Sequence, residues 1–133
     1  MSWKKGKIIV VILFVTVGFL SACRSTTIKI GWVCVNDKNE LDCRYNEFSG
    51  KEIKSIKVNE GETLEFSFDI EVQEGELAIK ILDPSENTVW EKEFIQSVSE
   101  GDAITATESG RYRLVVEGLE TAGAFIITWQ VID

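Results

Sequence analysis

The chain has 133 residues, of which 14 are basic and 22 acidic, for a formal net charge of −8, and it contains no histidine. That size suits one domain with one core. The acidic balance argues against a nucleic-acid partner, whose phosphates it would repel, and the missing histidine removes the usual Ser-His and Cys-His nucleophile pairs.

The chain opens with Lys4, Lys5 and Lys7 and continues into a run over 8–20 in which only Thr16 is polar. A basic segment followed by a short apolar one is the pattern of a signal peptide, so a signal-peptide helix is predicted over 1–22. The run falls short of the roughly 20 apolar residues that a spanning helix needs. It has no polar face, so it does not fit the surface of a soluble domain either. Leu20-Ser21-Ala22-Cys23 follows directly. These four residues resemble the bacterial lipobox, in which an aliphatic residue and two small ones precede an acylated cysteine. The resemblance implies a diacylglyceryl group on the Cys23 sulfur, cleavage before Cys23, and residence on the extracytoplasmic face of a membrane. Arg24 stands where an aspartate would favour the inner membrane, which implies an outer-membrane address if the organism has one. A single acyl chain binds only marginally, at about 0.8 kcal/mol per buried methylene, whereas two or three hold stably. The membrane would then be a partner through the lipid, with 23–27 as lipidated cysteine and tether. Residues 24–27 reach roughly 13 Å when extended, so the domain over 28–133 is expected to ride close to the bilayer.

From Ile28 onward the apolar period is two. Strands are predicted over 28–35, 40–48 and 53–58. Asn36-Asp37-Lys38-Asn39 has turn chemistry. A two-residue turn at Lys38-Asn39 would set Cys34 opposite Cys43, within reach of a disulfide after export. Two reduced thiols are the alternative, and a zinc site is disfavoured without histidine. The clearest strand is 63–72, with Leu64, Phe66, Phe68, Ile70 and Val72 on one face and Glu65, Ser67, Asp69 and Glu71 on the other. Gln73-Glu74-Gly75-Glu76 is predicted to turn the chain into a strand over 77–82. Asp83-Pro84-Ser85-Glu86-Asn87 is a strong turn signal, with Pro after Asp, leading into a strand over 89–94. The stretch 94–107 keeps no clean period and is expected to be an irregular strand. Strands over 110–118 and 125–131 are predicted to flank a loop over 119–123. The sum is an all-β, antiparallel β-sandwich of seven to eight strands, of Greek-key or jelly-roll type.

The segments Gly61–Phe68, 75–84, 109–118 and 123–129 resemble GOLD-type and related CUB-like jelly rolls, through a Gly-x-Tyr strand at Gly110-Arg111-Tyr112 and a last strand running from Gly123 through Phe125 to Trp129. The resemblance implies an interaction module without catalytic residues.

Chemistry-bearing residues are few. Asp83 and Glu86, or Glu100 and Asp102, could supply hard oxygens for calcium, although turn chemistry alone explains Asp83. Trp90, Trp32 and Tyr45 are the candidate binding aromatics; Trp129 sits on an inward row. The carboxylates Glu65, Asp69 and Glu71 are read as a solvated face paired with lysines such as Lys54, Lys57 and Lys80, in preference to a glycosidase pair. No cofactor is implied. The function expected is a non-catalytic, lipid-anchored extracytoplasmic binding module serving an envelope protein partner. A carbohydrate-binding module for wall or exogenous glycans is the alternative, and a small hydrolase stands third.

Overall fold

In a computed structural model, residues 27–133 are described. The predicted signal-peptide helix, the cleavage junction, Cys23 and most of the tether lie outside them. Seven strands follow: β1 (Ile28–Ile30), β2 (Val33–Asp37), β3 (Glu40–Val58), β4 (Thr63–Leu82), β5 (Thr88–Phe94), β6 (Val98–Thr105) and β7 (Gly110–Ile132). All pairings are antiparallel, in the order β1-β3-β7-β4-β5, with β2 also on β3 and β6 also on β4.

Three strands are far longer than the sequence suggests, because each serves two layers. In layer A, β2 pairs the start of β3, which pairs the end of β7, which pairs the start of β4, which pairs β6. In layer B, the end of β3 pairs the start of β7, which pairs the end of β4, which pairs β5. Register shifts between Tyr45 and Gly50 of β3, and between Val72 and Glu76 of β4, mark where the ladder folds over on itself. The predicted turn at 73–76 and loop at 119–123 are therefore bends inside continuous strands. The residues that read as breaks, Gly75 and Gly123, are what permits the bend. Both have positive φ, and a Cβ on Gly123 would stand 1.9 Å from the Glu71 carbonyl oxygen. The predicted first strand divides differently too: Gly31, at φ 64, interrupts it between β1 and β2.

The two layers pack face to face. Leu64, Phe66, Phe68 and Ile70 of layer A and Leu77, Ile79, Ile81 and Phe94 of layer B are all buried. Rings meet across the layers, Phe66 against Trp90 at 4.9 Å and Phe68 against Phe94 at 5.3 Å between centroids. Tyr112 is 1% exposed, and its hydroxyl donates to the Glu108 carbonyl four residues upstream at 2.9 Å. The Gly-x-Tyr motif is thus a corner clamp for the start of β7. β7, last in sequence, lies between β3 and β4, so the sandwich is not a meander.

The Lys38-Asn39 hairpin forms as expected. Cys34 and Cys43 are register partners with Cα atoms 4.1 Å apart, and they are joined by a disulfide. Both open sides of the sandwich are closed by a tryptophan and charged side chains. On one, the Trp90 indole N–H donates to Asp102 at 2.8 Å and Lys92 pairs with Glu100, joining β5 to β6. On the other, Lys29 lies 4.4 Å from the Trp32 ring and pairs with Glu52 at 2.8 Å. Charges placed at such seams discourage sheet-to-sheet aggregation.

Candidate functional site

The residues singled out in the sequence do not converge. Trp32 is half-buried and stacked on Tyr45 at 5.7 Å, and Tyr45 is itself buried, 5% exposed, against Phe48 and Phe125. Trp90 is half-buried across Phe66 and Phe68. The three candidate binding aromatics are therefore engaged in the core and its margins. Burial pushes the Tyr45 hydroxyl up from 10.0 to about 12, against a smaller opposing effect of the Thr121 hydroxyl. The two oxygens are buried with no partner in hydrogen-bond geometry. We take them as neighbours whose contact is electrostatic.

The carboxylates considered for calcium are also spoken for. Asp83 caps its own turn, accepting from the Asn87 backbone N–H at 2.8 Å, and Glu86 pairs with Arg113 at 2.6 Å. Glu100 is held by Lys92. Asp102 accepts from Trp90 and from the Ala103 N–H, and these two donors, the indole first, hold it below the usual carboxylate range. Among the described residues no group of three or more potential metal ligands comes together.

What the fold does assemble is a shallow groove on the outer face of layer A. It crosses β7, β4 and β6 in successive rows of register partners. Gln130, Glu65 and Ala103 form one row; Thr128, Ser67 and Gly101 the next; Ile126, Asp69 and Ser99 the third. The first two rows line a groove of about 640 Å³, and it continues past Ser67 and Thr128 into a second depression of about 240 Å³ bounded by the third. At a rise of about 3.4 Å per residue, the three rows extend roughly 14 Å along the strands. Gly101 makes the dip. It has no side chain in the middle row, and a Cβ there would already press on the Phe66 carbonyl at 3.2 Å.

The polar part of the lining is pre-arranged beside apolar Ala103 and Ile126. Gln130 donates its amide N–H to Glu65 at 2.8 Å, and the Ser67 and Thr128 hydroxyls bond to each other at 2.7 Å. The sequence reading paired Glu65 and its neighbours with lysines, but those lysines lie elsewhere. Lys80 pairs with Glu91 and Glu117 in layer B, and Lys54 bonds Asn36 at the β2 margin. The groove's negative charge is thus not neutralised by them. The sequence signal for the site was present, as outward polar positions of β4 and β7 with a glycine in β6. It became readable only once β7 was known to lie beside β4.

No family model matches the chain, and no curated protein matches it. Among solved structures, similar ones include a CBM4 structure at 13% identity and TM-score 0.46, with 77% of this chain and 78% of that one covered. The enzymatically active domain of tailspike protein 4 from bacteriophage CBA120 is similar at 14% and 0.49, covering 80% of this chain and 18% of that one. A carbohydrate binding module, CBM6cm-2, from Cellvibrio mixtus lichenase 5A in complex with cellotriose is similar at 9% and 0.45, with 82% and 90% covered. Likenesses at this level assign no function to this chain.

Proposed function

We propose that this chain is a lipid-anchored, extracytoplasmic binding module that takes a neutral glycan chain along the outer groove of layer A. One observation carries the reading: the three-row groove, open along its length, whose middle is lowered by Gly101 and whose lining sets hydroxyl, amide and carboxylate groups among apolar ones. Such groups accept and donate to the ring hydroxyls of a sugar, and orientation by a few placed polar groups is the usual basis of specificity. The acidic lining, Glu65 and Asp69 in particular, disfavours phosphorylated or uronic chains. The reading is of binding without turnover. Asp102, the register partner of inward Phe66, is tied to Trp90 at the seam between the layers and does not face the groove. Anchoring is supported by the basic and apolar leader and by Leu20-Ser21-Ala22-Cys23.

The test is affinity electrophoresis of the purified protein through a panel of neutral polysaccharides. Retardation by at least one is expected. It should fall at least tenfold in a Ser67→Ala/Gln130→Ala double variant, which alters outward side chains and leaves the core intact. Retardation unchanged by the double substitution, or none on any polysaccharide, would remove the groove from the account.

A further inference from the structure

Three of the apolar side chains most open to solvent fall within six residues of one another. They are Ile30 at 53% exposure, Val33 at 64% and Val35 at 62%. β1 and β2 both lie at the margin of the ladder, each paired on one side with β3 and on the other with nothing among the described residues. The register sets Ile30 opposite Glu47, Val33 opposite Arg44 and Val35 opposite Asp42, so all three side chains stand on the outer side of that margin. An exposed, β-branched margin strand invites pairing with other chains unless something covers it.

The position of this strip in the chain points to its cover. Ile28 begins β1 only four residues beyond the Cys23-Arg24 junction, and the intervening 24–27 reach roughly 13 Å. At a strand rise of about 3.3 Å per residue, Ile30 to Val35 spans roughly 17 Å. A tether shorter than the strip lets it lie along a surface and does not let the domain swing far from it.

We infer that the β1–β2 margin is a bilayer-contact strip, with Ile30, Val33 and Val35 seated at the boundary between head groups and acyl chains of the membrane that holds Cys23. This rests on the lipid-anchor reading above. The charge pattern selects the lipid. The chain as a whole is acidic, and Asp42 and Glu47 flank the strip, so the contact is to uncharged or zwitterionic head groups, with Lys38 and Arg44 of the same hairpin at the phosphate level. Val33 and Val35 share the outer face of layer A with the groove, whose near wall at β7 is two strand steps from β2, roughly 10 Å, and whose far wall at β6 is four, roughly 19 Å at about 4.8 Å per step.

The experiment is amide hydrogen exchange on the full-length protein purified from bacterial membranes and reconstituted in phosphatidylcholine nanodiscs. The same protein after lipase removal of its ester-linked acyl chains is the reference, and intact mass is read on each sample. Amides over 28–37 are expected to exchange at least fivefold more slowly in discs, with β5 and β6 unchanged. A Val33→Ser/Val35→Ser variant should lose that protection while keeping the acyl mass, the disulfide and the melting temperature. Acylated protein with no protection over 28–37 in discs, or with protection on another strand, overturns the strip and leaves the anchor standing. Protection that persists without acyl chains and grows with protein concentration means that a second copy covers the margin, and also overturns it. Cys23 without an acyl mass overturns anchor and strip together.

Discussion

Tyr45 offers a measurement that separates a core aromatic from a ligand-facing one. Its ring is 5% exposed and its hydroxyl is raised from 10.0 to about 12 by burial. In the unfolded chain a tyrosine titrates near 10. Between those values the folded chain keeps the proton and the unfolded chain has lost it, so the folded state binds more protons and stability falls as pH rises. The contribution is complete below pH 10 and lost progressively up to about 12. At pH 11 the two pKa values differ in occupancy by about tenfold, which is a loss of about 1.4 kcal/mol relative to pH 9. Tyr45→Phe removes this group from the linkage. It also removes a buried hydroxyl without a hydrogen-bond partner, whose burial costs about 1–3 kcal/mol. The variant is therefore expected to match or exceed the parent in stability at pH 8, and to be less sensitive than the parent between pH 9 and 11 by about that 1.4 kcal/mol. Urea midpoints followed by tryptophan fluorescence, taken for both proteins across that range, give the difference directly, because titrating lysines affect both alike. Equal slopes for parent and variant, or a variant that is less stable at pH 8 and also loses polysaccharide binding, would mean that the hydroxyl faces water or ligand and that the burial argument fails.

Phe68 stacks between Phe66, Trp90 and Phe94 across the two layers, so Phe68→Ala is expected to lower stability by about 3–5 kcal/mol in urea melts. A wild-type midpoint there would mean that the inward and outward faces of β4 are reversed. Reducing Cys34–Cys43, which closes a loop of sequence separation 9, should cost roughly 2–3 kcal/mol, read as a lower melting temperature in dithiothreitol, and a Cys34→Ser/Cys43→Ser variant should show no such response. Gly123→Ala would force a methyl group onto the Glu71 carbonyl at the bend of β7, so it is expected to abolish folding or to reduce stability beyond the effect of Phe68→Ala, by circular dichroism.

The alternating faces of β4 and the end of β7 were legible because a period of two needs only neighbours in sequence. The hairpin carrying Cys34 and Cys43 was legible for the same reason, since turn type fixes register. Long-range pairing was not. Nothing local distinguishes a loop at 119–123 from a bend in a strand that crosses between layers, and Gly123 reads identically in both. The groove inherits that limit. Ser67 and Thr128 are 61 residues apart and meet through the pairing of β4 with β7. The sequence left Trp90 and Tyr45 open between ligand and core because amphipathic rings are equally at home stacked on a sugar or wedged at the margin of a core, and only the opposite layer decides between them.

Placing β7 between two strands that precede it in sequence has a kinetic meaning. Neither layer is continuous until β7 slides between β3 and β4, so a polypeptide that emerges amino end first holds most of its apolar rows uncovered until β7 follows. Such non-local closure is slow. Any factor that shields the uncovered chain during that interval would therefore raise yield more than a gain in final stability of the same size.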